Sequence, residues 1–154
     1  MNSIVRFALV SIIVASLASC SKTVEVPQQP PVTNPITGSW IITDAAENDG
    51  RGWYPFNPGI DGVFTLYNNG AAEYDDGYSF LQGSWDSYTQ TSGYYDEYGN
   101  YYTDAHQVFQ VKAGSNAGGS LDLYLDDISF VNQNQFIGTY YNGKGIEKYV
   151  FSRN

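Results

Sequence analysis

Gly38-Ser39-Trp40-Ile41-Ile42-Thr43 is the stretch on which the fold turns. Trp40 and Ile42 alternate with Ile41 and Thr43, the period-two pattern of a half-buried strand. The glycine two residues before an aromatic recurs at Gly83-Ser84-Trp85 and, loosely, at Gly138-Thr139-Tyr140. The chain before this stretch differs in kind from the chain after it.

After it, short strands alternate with turn signals. Residues 40–43 open the series, and Ala45 to Asp61 reads as a long connection with Asp49-Gly50, Gly52, Pro55 and Pro58. Val63 to Tyr67 follows, then the Asn68-Asn69-Gly70 turn, then Ala71 to Asp75. Asp75-Asp76-Gly77 turns into a strand from Phe80 to about Thr91, which carries Trp85. Glu97 to Asn100 turns into Tyr101 to Lys112, and Ala113 to Gly119 is a glycine-rich loop. Leu121, Leu123 and Leu125 alternate with Asp122, Tyr124 and Asp126, the cleanest half-buried strand in the chain. A continuation through Ile128 and Phe130 is open. Gln135 to Tyr141 and Ile146 to Arg153 end the series, joined by Asn142-Gly143-Lys144-Gly145. No helical periodicity interrupts them.

This is an all-β pattern of eight strands with tight connections. Such strands pair antiparallel in a meander. Eight of them can close into an up-and-down barrel, which also removes both sheet edges. A two-sheet β-sandwich is the alternative.

Before the first strand the chain reads as signal and tether. Arg6 precedes an apolar run from Phe7 to Leu17, about the length of the apolar core of a secretion signal and short for a membrane span. Leu17-Ala18-Ser19-Cys20 resembles the lipobox of bacterial lipoproteins, and Cys20 is the one cysteine of the chain. The resemblance implies a signal peptide over 1–19, cleavage before Cys20, acylation of that residue and anchorage in the cell envelope, most simply the outer membrane. Four of the six prolines fall between 21 and 37. Residues 20–37 thus form a lipidated, extended tether, reaching about 50 Å at ~3.1 Å per residue. Residues 38–154 remain as one domain with one core.

The 154-residue chain carries 16 acids against 7 bases, a formal charge of −9. That surface repels phosphate backbones, so nucleic acid is excluded as a natural partner. With Cys20 acylated, no thiol is left for a disulfide, a metal or catalysis.

The order of features resembles the lipocalin superfamily, and more closely the small lipocalin-like lipoproteins of Bacteroidetes. The residues that carry the likeness are Gly38 and Trp40, a second pair at Gly83 and Trp85, and a last strand ending Tyr149, Phe151, Arg153. The chain departs from lipocalins in having no segment for a helix after the last strand. If the meander closes into a barrel, the last strand pairs with the first. Arg153 then meets Trp40 at one rim and closes it by a cation–π contact.

At the other rim, the long first connection carries Trp53, Tyr54 and Phe56. Two readings stand: a pocket rim for a small, partly apolar ligand, with Phe64 among the inward aromatics, or a plug for the barrel's own end. Tyr94, Tyr95, Tyr98, Tyr101 and Tyr102 lie close to Asp96, Glu97 and Asp104. They could stack on sugar rings as an interaction surface for a glycan or a protein; alternatively they pair across an exposed hairpin with no ligand. Turn counting puts this hairpin at the Trp40 rim. The Asp-rich segments lack the ligand spacing of an EF-hand and read as turns and surface charge. No metal set and no cofactor motif is present.

His106, the one histidine, has no nucleophile motif beside it, so the chain reads as non-catalytic. Three functions follow in order: binding of a small, partly apolar ligand; a filled barrel acting as a structural or interaction lipoprotein; and a small hydrolase built on two carboxylates.

Overall fold

The structure is a computed structural model and describes residues 34–154. The signal peptide, Cys20 and the tether as far as residue 33 lie outside the described residues. Twelve strands follow one another: β1 (Gly38–Asn48), β2 (Trp53–Pro55), β3 (Val63–Leu66), β4 (Ala71–Asp75), β5 (Phe80–Thr91), β6 (Tyr94–Tyr95), β7 (Tyr101–Tyr102), β8 (Ala105–Gly114), β9 (Ser120–Leu125), β10 (Asp127–Asn132), β11 (Gln135–Tyr141) and β12 (Ile146–Arg153). No helix occurs among the described residues.

The protein is all-β and antiparallel. One sheet runs β10-β11-β12-β1-β3-β4-β5-β8-β9, with β2 attached to β1, and β6 and β7 pair as a separate hairpin. The path is a meander in which the last strand lies beside the first. Its two ends, β10 and β9, are consecutive in sequence and separated by Asp126 alone. β10 also packs beside β8.

Three expectations need correction. β1 does not stop at Thr43 but continues to Asn48, because the register slips between Ile42 and Asp44 and restores pairing with β12. This bulge breaks the alternation that marks a strand in sequence. The connection after it is not free loop: Trp53–Pro55 folds back onto β1 as β2. The strand expected over 101–112 is broken at Thr103-Asp104, which sets β7 apart from β8.

The turns behave as their residues dictate. Gly70, Gly77 and Gly143 take φ of 83°, 81° and 84°. The Asp75 carboxylate accepts the Gly77 N–H, and Asp76 accepts those of Tyr78 and Ser79. These acids therefore have work as turn caps. Among the described residues, no group of three or more His, Cys, Asp or Glu side chains could hold a metal.

One face of the sheet is packed with rings. Phe136 stacks on Phe151 at 4.4 Å between centroids, and Trp40 meets Phe136 edge-on at 4.8 Å. Phe109 links this pair to Trp85, while Phe64 links Phe151 to Tyr74. Trp40, Phe64, Phe109, Phe136 and Phe151 are all at most 1% exposed. Such a cluster supplies both apolar burial and directional ring contacts.

Trp40 and Arg153 are paired across β1 and β12, and the guanidinium lies 3.9 Å over the indole. The expected cation–π contact is therefore present. Arg153 also donates to the carbonyls of Pro35, Thr37 and Gln133, and the Trp40 indole N–H donates to Ile36 at 2.6 Å. Asn34 to Thr37, counted with the tether by sequence, thus belongs to this end, and Ile36 is fully buried.

Candidate functional site

The feature that stands out is a place where two strands part. Leu123 and Leu125 are buried on β9, whereas Ile128 is buried on β10, with Phe130 packed against the core. Odd positions face the core before Asp126 and even positions after it, a slip of one residue. β10 pairs with β11 from Asp127↔Thr139 onward, but β9 pairs with β8 instead. Asp126 holds the corner: its N–H donates to Thr139 at 2.7 Å, and its carboxylate accepts the Tyr141 N–H at 2.7 Å. Burial pushes the pKa of this carboxyl up.

Beyond the corner the tip of β11 and the start of β12 face β9 across a gap. An open cleft of 490 Å³ fills it. One wall comes from the β8–β9 pair, where Gln110 lies opposite Tyr124 and Lys112 opposite Asp122. The other comes from the β11–β12 pair, where Tyr140 lies opposite Glu147, with Tyr149 beyond. Leu123 and Ile60 complete the lining. The Tyr124 and Tyr140 rings stand at 85° to each other, 6.2 Å apart, and form a corner.

The polar groups of the cleft differ in how firmly they are held. Glu147 accepts from Asn142 Nδ2 at 2.8 Å and from the Tyr149 hydroxyl at 2.5 Å. Burial, then the bond to Glu147, raises the Tyr149 pKa far above that of an ordinary phenol. Burial, then the charge of Asp126, raises that of Tyr124. Both phenols stay protonated at neutral pH. Lys112 and Asp122 sit 3.5 Å apart and exposed, a pair that adds little to stability and is free to turn to another partner.

Trp53, Tyr54 and Phe56 of the first connection and Phe64 of β3 do not line one cavity. Phe64 is 1% exposed, locked between Tyr74 and Phe151. Phe56 meets Tyr149 edge-on at 5.8 Å and lines a smaller groove of 240 Å³. Trp53 lies under the Lys148 ammonium at 4.4 Å. Tyr54 is 44% exposed. The connection covers the sheet and contributes Ile60 to the cleft.

The tyrosine stretch is a small layer on the sheet. Tyr94 pairs with Tyr102, and Tyr95 with Tyr101. Tyr94 stacks on His106 at 4.2 Å and Tyr95 packs against Tyr141 at 5.2 Å. The Tyr95 carbonyl accepts the hydroxyl of Thr139, which is buried beneath. Tyr98, Tyr101 and Tyr102 remain exposed. The hairpin does not sit at the Trp40 end: Gly99 lies beside Asn48, Trp53 and Ile146, at the far end of β1 and the start of β12. Turn counting assumed a hairpin continuing its strands, but Gly93 and the Thr103-Asp104 break let it fold over.

His106 is 6% exposed under that layer, its Nδ1 beside the Asp104 carbonyl. Burial and the bond to Asp104 push the Tyr94 phenol up to about 12. Burial also raises the pKa of Asp127, opposed by His106 and by the N–H groups of Gln107 and Ile128, while Asp96 adds to the rise. The folded state therefore holds the Asp127 proton more tightly than the unfolded chain. The stability this adds is complete below the unfolded carboxyl pKa of about 3.9 and is lost as pH rises through the folded value. Asp127→Asn removes that dependence. Measured by urea unfolding, the variant should gain on the wild type between pH 3 and pH 7. A difference that is flat, or that slopes the other way, contradicts the assignment.

None of the cleft residues stood out in the sequence as a site; Leu123 stood out only within the strand alternation of Leu121, Leu123 and Leu125. One signal was available: the apolar phase changes from odd to even at Asp126-Asp127, which marks a bulge. Comparison with known protein families, with curated proteins and with solved structures finds no match to this chain, so its local geometry is what bears on function.

Proposed function

We propose that the protein is a lipid-anchored, lipocalin-like envelope protein that binds a small ligand without transforming it. In this reading the sheet curls into a barrel, with the bent β9–β10 stretch completing the ring between β8 and β11. The ring-filled core supports a barrel occupied by its own side chains, which moves the ligand from the interior to the open cleft between β9 and β11–β12. That cleft, of 490 Å³ and lined by both aromatic and charged groups, is the observation that carries the proposal. It falls within the span of small-molecule sites, about 300–1,000 Å³. A non-catalytic role is supported by His106, which lies covered by Tyr94 rather than beside the cleft.

The test is an amide-resolved NMR titration of the full chain against a library of small ring-shaped fragments. Perturbations should gather at residues 60, 122–124, 140 and 147–149, and Tyr140→Ala should remove them. Shifts that gather elsewhere, or that survive the substitution, overturn the placement of the site.

Anchorage has its own test. Cells fed an alkyne analogue of palmitate should label the wild-type chain and fail to label Cys20→Ala. Equal labelling of both would rule out acylation at Cys20.

A further inference from the structure

We propose that the cleft takes an uncharged, hydroxyl-rich ring, that is, a neutral saccharide. The inference rests on the cleft being the binding site and goes further by naming the ligand's chemistry. The lining decides between ligand classes. A purely apolar molecule would strip water from the exposed Lys112–Asp122 pair and from Glu147 without replacing those hydrogen bonds, and desolvating charge is costly. Water-like partners on a rigid frame meet those groups better. A sugar ring has both parts: hydroxyls around its edge and C–H faces above and below.

The two walls supply matching groups. Glu147 and Asp122 accept hydroxyl protons from opposite sides, while Lys112 and Gln110 donate to hydroxyl or ring oxygens. Hydrogen bonds to charged side chains are the stronger kind. Tyr140 and Tyr124 set aromatic faces at a right angle, a surface against which a C–H face can lie. Glu147 is already fixed by Asn142 and Tyr149, so little order is lost when it engages a ligand. The charges also select. Two carboxylates against one ammonium leave the cleft negative, within a chain of charge −9, which disfavours uronates and sugar phosphates.

The experiment uses the full chain in lipid nanodiscs and saturation-transfer NMR, with the signal of empty nanodiscs subtracted. The probes are neutral α- and β-linked hexose and pentose oligomers, their uronate counterparts, and indole as an apolar ring. Expected is transfer to the ring protons of at least one neutral oligomer. Glu147→Gln, which keeps the shape of the side chain, and Tyr140→Ala should each weaken its affinity about tenfold or more. Tyr78→Ala, at a fully exposed position away from the cleft, should leave it unchanged. Circular dichroism checks that each variant folds. If indole binds and Tyr140→Ala abolishes this while no neutral oligomer binds, the saccharide inference is overturned and the cleft reading stands. If uronates bind more tightly than neutral oligomers, the saccharide inference in its neutral form is overturned. If nothing binds, or if binding ignores both cleft substitutions, the inference and the cleft reading fall together.

Discussion

Trp40→Ala is expected to lower the free energy of unfolding by about 3–5 kcal/mol, as for other large aromatic truncations in a core. The indole is fully buried and meets Phe136, and its N–H satisfies the Ile36 carbonyl. All of this is lost at once, and Arg153 loses the ring beneath it. Domains are stable by only about 5–15 kcal/mol, so the variant sits near the edge of folding. Urea unfolding followed by circular dichroism measures the change. Arg153→Ala and the double variant complete a cycle whose coupling should be about 0.5–2 kcal/mol. A single-variant loss below about 1 kcal/mol would contradict the packing, since cavities of this size cost more. Zero coupling would leave the cation–π contact without energetic content.

Gly83→Ala is the second large effect, although it adds one methyl group to a strand residue exposed to solvent. A Cβ at this position would fall 1.9 Å from the Lys112 carbonyl oxygen and 2.7 Å from the Ala113 Cα. Both are backbone atoms of β8, so no side chain can swing aside. Either β5 and β8 separate there or the backbone strains. The expected cost is roughly 3 kcal/mol, toward the upper end of over-packing. The ladder between these strands spans Gln82↔Gly114 to Thr91↔Ala105, so the disturbance falls near its start. Amide hydrogen exchange should quicken at Lys112 and Ala113 ahead of residues 107–109. A change within 0.5 kcal/mol, the range of neutral surface substitutions, would show that β8 does not approach so closely. Gly38 is constrained differently: it takes φ of 122°, and its missing side chain leaves room for the Arg153 guanidinium.

Much of the sheet was legible because its signals are local. Leu121, Leu123 and Leu125 announced β9, Asn68-Asn69-Gly70 announced the β3–β4 turn, and the Trp40–Arg153 contact followed from the expected pairing of the last strand with the first. The eight expected strands correspond to β1, β3, β4, β5, β8, β9, β11 and β12. What escaped was set by phase slips and by long-range placement. Asp44, Ala45, Ala46 and Glu47 do not alternate, yet β12 holds them as strand once Thr43 is bulged out. The cleft was illegible for a related reason. Tyr140 and Glu147 belong to one hairpin, Lys112 and Asp122 to another, and a third segment supplies Ile60. Nothing in their spacing brings the three together; the one-residue slip at Asp126 parts the two hairpins, and Ile60 arrives by packing against the core. The aromatic residues of the first connection drew attention by type, but Phe56 there and Phe64 on β3 had core partners waiting on β4 and β12.

The pairing of β1 with β12 also orders events in time. The β3–β4 and β4–β5 hairpins close over a few residues and can form as soon as they are made. Trp40 cannot be covered so early, because Phe136, Phe151 and Arg153 all come from the far end of the domain. Contacts of such long sequence separation slow folding. While the chain is growing, β1 offers an open edge and a large apolar ring, the features that invite one chain to pair with another. The first strand of the sheet to be synthesised thus stays half covered, paired with β2 and β3 alone, until residues 136–153 follow, and aggregation before then should depend on how long that takes.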